Sequence, residues 1–356
     1  PGDGQVRAVV THAGNPVLST PNGTRLDRAL SGLEFMVSFD LYVNETTRHA
    51  HVILPPTFAL ERDHYDTVFH MLAIRNTAKF SPAVFAPGDG AKQDWEILSE
   101  LTSRLRRGAA ADVEKAREGD ATRAKLGPRG MLNIGLRAGP YGTNGSDAER
   151  ANGGGAAGKH ASGGLSLAAL HAAPHGIDLG ALAPCLPERL RTESQRIALA
   201  PPIIAADVAR LEQEWGAADA VTIGTLSLIG RRDLRSNNSW MHNSVRLVRG
   251  ERRCTLYMHS TDAEARGITE GETVWVSSRV GAVTVEVEVT EDIMPGVVSL
   301  PHGWGHGRDG VRLHVAREHA GVSINDLTDD QRLDALSGNA AFSGTRVTVM
   351  SAKAVP

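Results

Sequence analysis

Residues 280–290 read VGAVTVEVEVT, and this alternation constrains the fold more than any other stretch. Val283, Val285, Val287 and Val289 point one way while Glu286 and Glu288 point the other, the period-two pattern of a strand with one buried face. Further strand-length apolar runs surround it: VTIGTLSLIG and RCTLYMH before it, ETVWVSS next to it, then GVVSLPHGWG, with GTRVTVMSA closing the chain. Several short strands sharing one core, with little helix between them, predict a small barrel. One short helix interrupts the strands; Ser260 or Thr261 is its expected N-cap and Gly267 its end.

The other end of the chain has a different rhythm. VRAVVTHAGNP opens with an apolar strand over Val6 to Val10 and runs into a small-residue loop. TRLDRAL predicts a helix with Leu26, Ala29 and Leu30 on one side, LEFMVSFD a second strand ending at Asp40, and HVILPP a third ending at Pro55–Pro56. Strand, helix, strand, strand, with nearly all-apolar strands, suits the end of a parallel sheet covered on both faces. GAKQDWEILSELTSRLRR follows as a helix with Trp95, Leu98, Leu101 and Leu105 in a stripe. Residues 108–130 predict an exposed helix, and the glycine-rich residues 138–164 a mobile or ligand-covering loop. The expected fold class is therefore α/β plus β. Its parts are the end of an α/β parallel-sheet domain over 1–110, a helical and glycine-rich connection over 111–215, and a barrel over 216–356.

Composition removes several function classes. Lys and Arg total 38 against 41 Asp and Glu, a formal net charge of -3, so nucleic acid is not an expected partner. No apolar run is long enough to enter a membrane and nothing reads as a signal peptide, which gives a cytoplasmic expectation. Cys185 and Cys254 are the two cysteines, too few for a four-thiolate iron–sulfur cluster. Neither a Gly-x-Gly-x-x-Gly fingerprint nor a Walker A sequence is present.

The chemistry concentrates in GRRDLRSNNSWMHN, residues 230–243. Arg231, Arg232 and Arg235 can pair with phosphate or carboxylate oxygens. Asn237, Asn238 and Asn243 offer donors and acceptors to heteroaromatic edges, and Trp240 offers a flat face. A solvated arginine loop around a structural tryptophan is the competing reading. At the strand ends, Asp40 or Glu45 can accept from the ring nitrogens of a purine such as guanine, and backbone N–H groups near Gly14 can meet a phosphate. Strand-end capping by Asn15 and Asp40 competes with that role. His302 and His306 in PHGWGHG have the spacing of a metal pair. Glycine breaks the segment, however, so a turn-rich loop near a ligand is expected instead. No nucleophile motif is present, and neither catalytic nor metal-ligating residues are assigned.

In order and spacing, these segments resemble the C-terminal part of the molybdopterin oxidoreductases, the family of formate dehydrogenases, periplasmic nitrate reductases and dimethyl sulfoxide reductase. GNPVLS, FDLYVNETTRHAHVILPP and ERDHYD look like the end of the family's second dinucleotide-binding half. HSTDAEARGITEGETVWVSS through PHGWGH looks like its double-psi barrel, and INDLT like that barrel's late Asn-x-Leu-Thr element. The resemblance implies a bis(molybdopterin guanine dinucleotide) cofactor with molybdenum or tungsten. Gly230 and Arg231 match the family's Thr-Gly-Arg, with Ile229 in place of the threonine. Asn238, Ser239, Trp240 and His242 would complete the loop around the cofactor, with Arg231 and Arg232 at pyrophosphate, and Asn325 would reach a pterin ring. Asn15 and Pro16 of the first loop, with Asp40, Glu45 and Thr46, would lie beside the other nucleotide. Arg231→Ala is expected to weaken cofactor retention with little loss of stability.

Neither the family's cysteine set for a [4Fe–4S] cluster nor its metal-ligand segment is visible. The expectation is thus a fragment: a C-terminal cofactor-binding portion, inactive alone, with the cluster only in a missing N-terminal part. Its expected partners are that N-terminal part of the same enzyme, a small-molecule substrate, formate first, and an electron-transfer partner. A stand-alone nucleotide-binding or protein-interaction module is the alternative.

Overall fold

The computed structural model describes residues 2–109, 113–142, 164–217 and 224–354. Most of the glycine-rich stretch lies outside them. The chain forms two compact units, one built from Pro1–Leu54 with Ala200–Pro356 and the other from Pro55–Leu199.

In the first unit a three-stranded parallel sheet comes first, in the order β1 (Ala8–His12), β2 (Phe35–Phe39), β3 (Val52–Ile53). Two short helices join β1 to β2. The first, α1 (Pro16–Ser19), starts on a proline, whose missing N–H is no loss in a first turn. The second, α2 (Gly23–Ser31), is capped by Asn22, whose side chain accepts from the Arg25 N–H at 3.2 Å. Val17, Leu30 and Met36 bury the covered face of the sheet, with Leu26 and Leu33 beside them. Covering on both faces was expected, but β1 leaves Val10 exposed and β2 leaves Phe35 exposed. Along β1, exposed and half-buried residues alternate.

Downstream, six strands close into a mixed barrel in the order β10-β6-β11-β8-β9-β7. They are β6 (Leu226–Arg231), β7 (Thr255–His259), β8 (Thr273–Ser277), β9 (Ala282–Thr290), β10 (Val297–Pro301) and β11 (Thr345–Ser351). The pairs β10–β6 and β7–β9 are parallel and the other four antiparallel. Parallel sheet followed by closed six-stranded barrel is the dinucleotide-binding and double-psi arrangement expected from the sequence. Val283, Val285 and Val287 of β9 fill the barrel with Leu226, Leu228, Leu256, Met258, Val274, Val276, Val298, Leu300, Val347 and Val349. Closure leaves no open edge among the six strands. The short helix after β7, Ser260–Glu264, differs from expectation in its cap: His259 accepts from the Thr261 N–H through its ring nitrogen at 3.2 Å, in place of a Ser260 or Thr261 hydroxyl.

The second unit pairs β4 (Arg75–Ala78) with β5 (Ile177–Ala181) in an antiparallel ribbon. Ala78, Phe80, Leu136, Leu165 and Leu170 form its small core. Its helices include α3 (Asp94–Ala109) and α4 (Val113–Ala138), the latter interrupted at Gly127, where φ is 54° before Pro128. Leu105, at the end of the expected stripe on α3, is 68% exposed, so that stripe loses its cover in its last turns.

Candidate functional site

The strand ends of the sheet and the loop after β6 meet in a buried polar seam within the first unit. Glu45 follows β2 and is completely buried. Its Oε2 accepts from the Asn15 amide at 2.6 Å and its Oε1 lies 2.9 Å from His306 Nδ1. Asn15 also accepts from the Thr46 hydroxyl at 2.7 Å, and that oxygen accepts from the Val17 N–H. On the other side, His306 Nε2 stands 2.9 Å from Nδ1 of His242, whose Nε2 is 2.7 Å from Ser236 Oγ. Trp304 stacks on the His242 ring at 4.0 Å between centroids.

Electrostatics sort these groups. Burial opposes ionisation of Glu45, but the hydrogen bond and charge of His306, with the Asn15 amide, outweigh it and hold the carboxyl below its ordinary range. Burial, helped by the positive charges of His306 and Arg253, pushes His242 down to about 3. Burial thus favours the neutral imidazole at His242.

The structure joins Asn15, Glu45, Thr46 and His242 directly or through His306, and Asn44 links Asp40 to Thr46. Pro16 begins α1. Asp40 caps the turn after β2, accepting from the Tyr42 N–H at 3.1 Å and the Asn44 amide at 3.1 Å, and burial raises its carboxyl above the ordinary range. Asn325 is fully buried; its amide donates to the Leu18 carbonyl at 2.7 Å and its Oδ1 accepts from the Thr328 hydroxyl at 2.8 Å. Gly230 lies in β6. Arg231, expected at pyrophosphate, has protein partners. It donates to the carbonyls of Ser299 at 2.6 Å and Thr255 at 2.7 Å, and its guanidinium lies 3.6 Å over the Tyr257 ring.

Outward from the seam the loop turns through Asn237 and Asn238, with φ of 39° and 63°, left-handed positions that asparagine tolerates. Gly303 holds it from behind: a Cβ there would sit 1.7 Å from the Asn238 carbonyl oxygen. Arg232 donates to Asn238 Oδ1 at 2.5 Å, and Trp240 is 63% exposed next to the half-buried Ser239. Beside this rim is an open pocket of about 390 Å³ lined by Asp233, Leu234, Arg235, Arg249, Gly250, Glu251 and Arg253. Among the described residues, no group of three or more His, Cys, Asp or Glu is placed to hold a metal ion. Fit to a phosphate-bearing heteroaromatic group therefore rests on the exposed rim: the Arg232, Arg235 and Arg249 cations, the Asn238 amide and the Trp240 face. The buried residues instead fix the shape of that rim. His306 and Ser236 are the contributors that sequence patterns missed as a chain, since their partners lie 261 and 6 residues away.

Two family models match the chain. One, described as Molybdopterin oxidoreductase, matches residues 1–104, and the other, described as Molydopterin dinucleotide binding domain, matches residues 226–346. Both ends of the chain are thus similar to molybdopterin oxidoreductases. Among individual proteins, the F420-dependent formate dehydrogenase 1 subunit alpha of Methanococcus maripaludis is 25% identical over 331 residues, 91% of this chain and 41% of that protein. The assimilatory nitrate reductase catalytic subunit of Bacillus subtilis is 36% identical over 107 residues, 30% of this chain and 14% of that protein. The solved structure of acetylene hydratase from Pelobacter acetylenicus shares the fold, with a TM-score of 0.66 at 16% identity, covering 97% of this chain and 44% of that one. The chain spans less than half the length of each of these relatives.

These matches correct the expectation of a C-terminal portion only. The oxidoreductase match occupies residues 1–104 and the dinucleotide-binding match residues 226–346, so both modules lie on this one chain. The fragment reading rested on cysteines that were not seen, whereas the matched segments are present. With it fall the separate N-terminal part as a partner, the inactivity expected of a fragment, and the assignment of a [4Fe–4S] cluster to a missing N-terminal part. Among the described residues, no helix is long and apolar enough to cross a membrane.

Proposed function

We propose that the chain acts as a molybdopterin-dependent oxidoreductase catalysing a two-electron reaction on a small molecule, with formate as the first substrate to test. The observation that carries this reading is the pair of family matches falling on the parallel sheet and on the closed barrel, with the arginine- and asparagine-rich loop on the barrel. The alignment over 91% of the chain with a formate dehydrogenase subunit supports the substrate. When bound, the bis(molybdopterin guanine dinucleotide) group would supply the metal's two-electron redox change. The protein's part is to bind and orient. Arg232, with Arg235 beside it, would meet phosphate oxygens, Asn238 and Ser239 a heterocycle edge, and Trp240 a ring face. Arg231, His242, Glu45 and Asn325 would act from behind, by keeping that loop and the strand ends in place.

Purification of the protein without oxygen, followed by metal and pterin analysis and a formate-dependent dye-reduction assay, tests this. Bound pterin with molybdenum or tungsten is the expected result. A folded protein with neither metal nor pterin, binding guanine nucleotide or nothing, would overturn it.

A further inference from the structure

The seam described above is a continuous chain of hydrogen-bonding groups. Asn15, Glu45, His306, His242 and Ser236 follow one another at 2.6, 2.9, 2.9 and 2.7 Å, and Glu45, His306 and His242 are fully buried. Both nitrogens of each imidazole have a side-chain partner within hydrogen-bond distance, and the Gly303 backbone bonds to His242 as well.

Charge balance decides which nitrogens donate. An ionised carboxylate buried without a compensating cation is costly, and the side chains on Glu45 are the Asn15 amide and the His306 ring. Arg48 reaches only the Glu45 backbone carbonyl and is paired with Asp27. With Glu45 ionised, a His306 ring carrying protons on both nitrogens would neutralise it through Nδ1 and donate to His242 through Nε2. His242 then carries its proton on Nε2 and donates to Ser236. The charged groups facing His242 from the loop side are Asp233 and Arg253, which pair with each other at 3.4 Å. Ser236 itself is nearly buried, but Arg235 and Asn237 on either side are exposed.

We propose that Glu45, His306, His242 and Ser236 form a proton relay, in which the Glu45–His306 pair stores one proton and the His242 ring passes it to and from solvent at Ser236. In the outward step the His306 Nε2–H bond breaks as a His242 Nδ1–H bond forms. The His242 Nε2–H bond breaks as a bond to Ser236 Oγ forms, and the hydroxyl's own proton passes to a solvent water or hydroxide. No electrons change hands. The pair goes from neutral to net negative on release, so positive charge arriving beside Asn15 and Glu45 favours release and negative charge favours uptake. The inference goes beyond the oxidoreductase reading and does not need it, because the stored proton is a property of the chain itself.

The test uses the full chain carrying ¹⁵N-labelled histidine, with ring ¹⁵N and ¹H spectra recorded at neutral pH. Lines are assigned through His306→Gln and His242→Gln. The expected parent spectrum has one ring protonated on both nitrogens, lost in His306→Gln, and one neutral ring with its proton on Nε2, lost in His242→Gln. In Ser236→Ala the doubly protonated ring should persist, while exchange of its Nε2 proton with solvent slows by roughly 100-fold, the low end of what a positioned proton-transfer group contributes. A parent His306 ring carrying a single proton would overturn the proposal, as would unchanged exchange in Ser236→Ala. The parent spectrum decides even where a substituted chain fails to fold.

Discussion

The barrel and the three-stranded sheet both belong to one compact unit, yet they solve the strand-edge problem in opposite ways. The barrel joins β10 back to β7, so each of its six strands has two neighbours and its valines and leucines share one dry interior. The sheet keeps an outer strand, leaves Val10 at 56% and Phe35 at 48% exposed, and buries polar groups, Glu45, Thr46 and Thr47, completely just past a strand end. Apolar burial dominates the first and polar satisfaction the second. The difference teaches where substitutions should act on stability and where on chemistry.

The largest expected break is in the barrel. Leu256→Ala removes a completely buried side chain and should cost about 2–5 kcal/mol in urea unfolding. A cost near zero would mean that the interior collapses around the gap. Arg231→Met should come next, at about 2–3 kcal/mol, because charged hydrogen bonds to the Ser299 and Thr255 carbonyls are lost. Arg232→Met, on the exposed rim, should change stability by less than about 0.5 kcal/mol and lower nucleotide or cofactor retention instead. This reverses the stability expectation first attached to Arg231, and a direct comparison of the two variants by unfolding and by bound-pterin content checks it.

Acidification should sharpen the contrast further. His242 titrates near 6.5 when unfolded and is pushed down to about 3 in the fold, so between those values the unfolded chain binds the extra proton. The sign is therefore loss of stability as pH falls below 6.5, at up to about 1.4 kcal/mol per pH unit. His302, lowered by burial and then by the Arg232 charge, adds in the same direction. Carboxylates held low, such as Glu45, enter only below their ordinary value of 4.5. His242→Gln should flatten the slope of Tm between pH 6.5 and 4.5. An unchanged slope would show that His242 is not the group responsible. The smallest effect belongs to the open face of the sheet: Phe35→Ser should stay within about 0.5 kcal/mol.

These contrasts follow what could be read in advance. The barrel was legible because period two over Val283, Val285 and Val287 reports burial directly. Strand, helix, strand, strand was legible at the other end because its strands are nearly all-apolar runs bounded by turn residues, with Asp40 directly after β2. The extent of helical cover on the sheet was not, since Val10 and Phe35 are as apolar as covered residues. The site was legible by composition and not by orientation. Asn15, Glu45, Thr46 and His242 were singled out for a ligand; the structure bonds the first three to one another and His242 to His306 and Ser236. Arg231 and Arg232 are adjacent in sequence, but Arg231 ends β6 on the face opposite the core leucines, packed over Tyr257 and bonded to the Ser299 and Thr255 carbonyls, while Arg232 follows the strand and is exposed. Local patterns do not contain the pairing of Glu45 with His306, which spans 261 residues and exists only once the sheet and the barrel have come together.

Gly303 carries a consequence for reshaping the rim. A Cβ there would overlap the Asn238 carbonyl, so the path of the loop is set by a position that is not on the loop. Diversity libraries aimed at a new ligand can vary Arg232, Asn238, Ser239 and Trp240 while this one glycine is held constant, because the backbone trace that presents those side chains is inherited from β10's exit and not from their own identities.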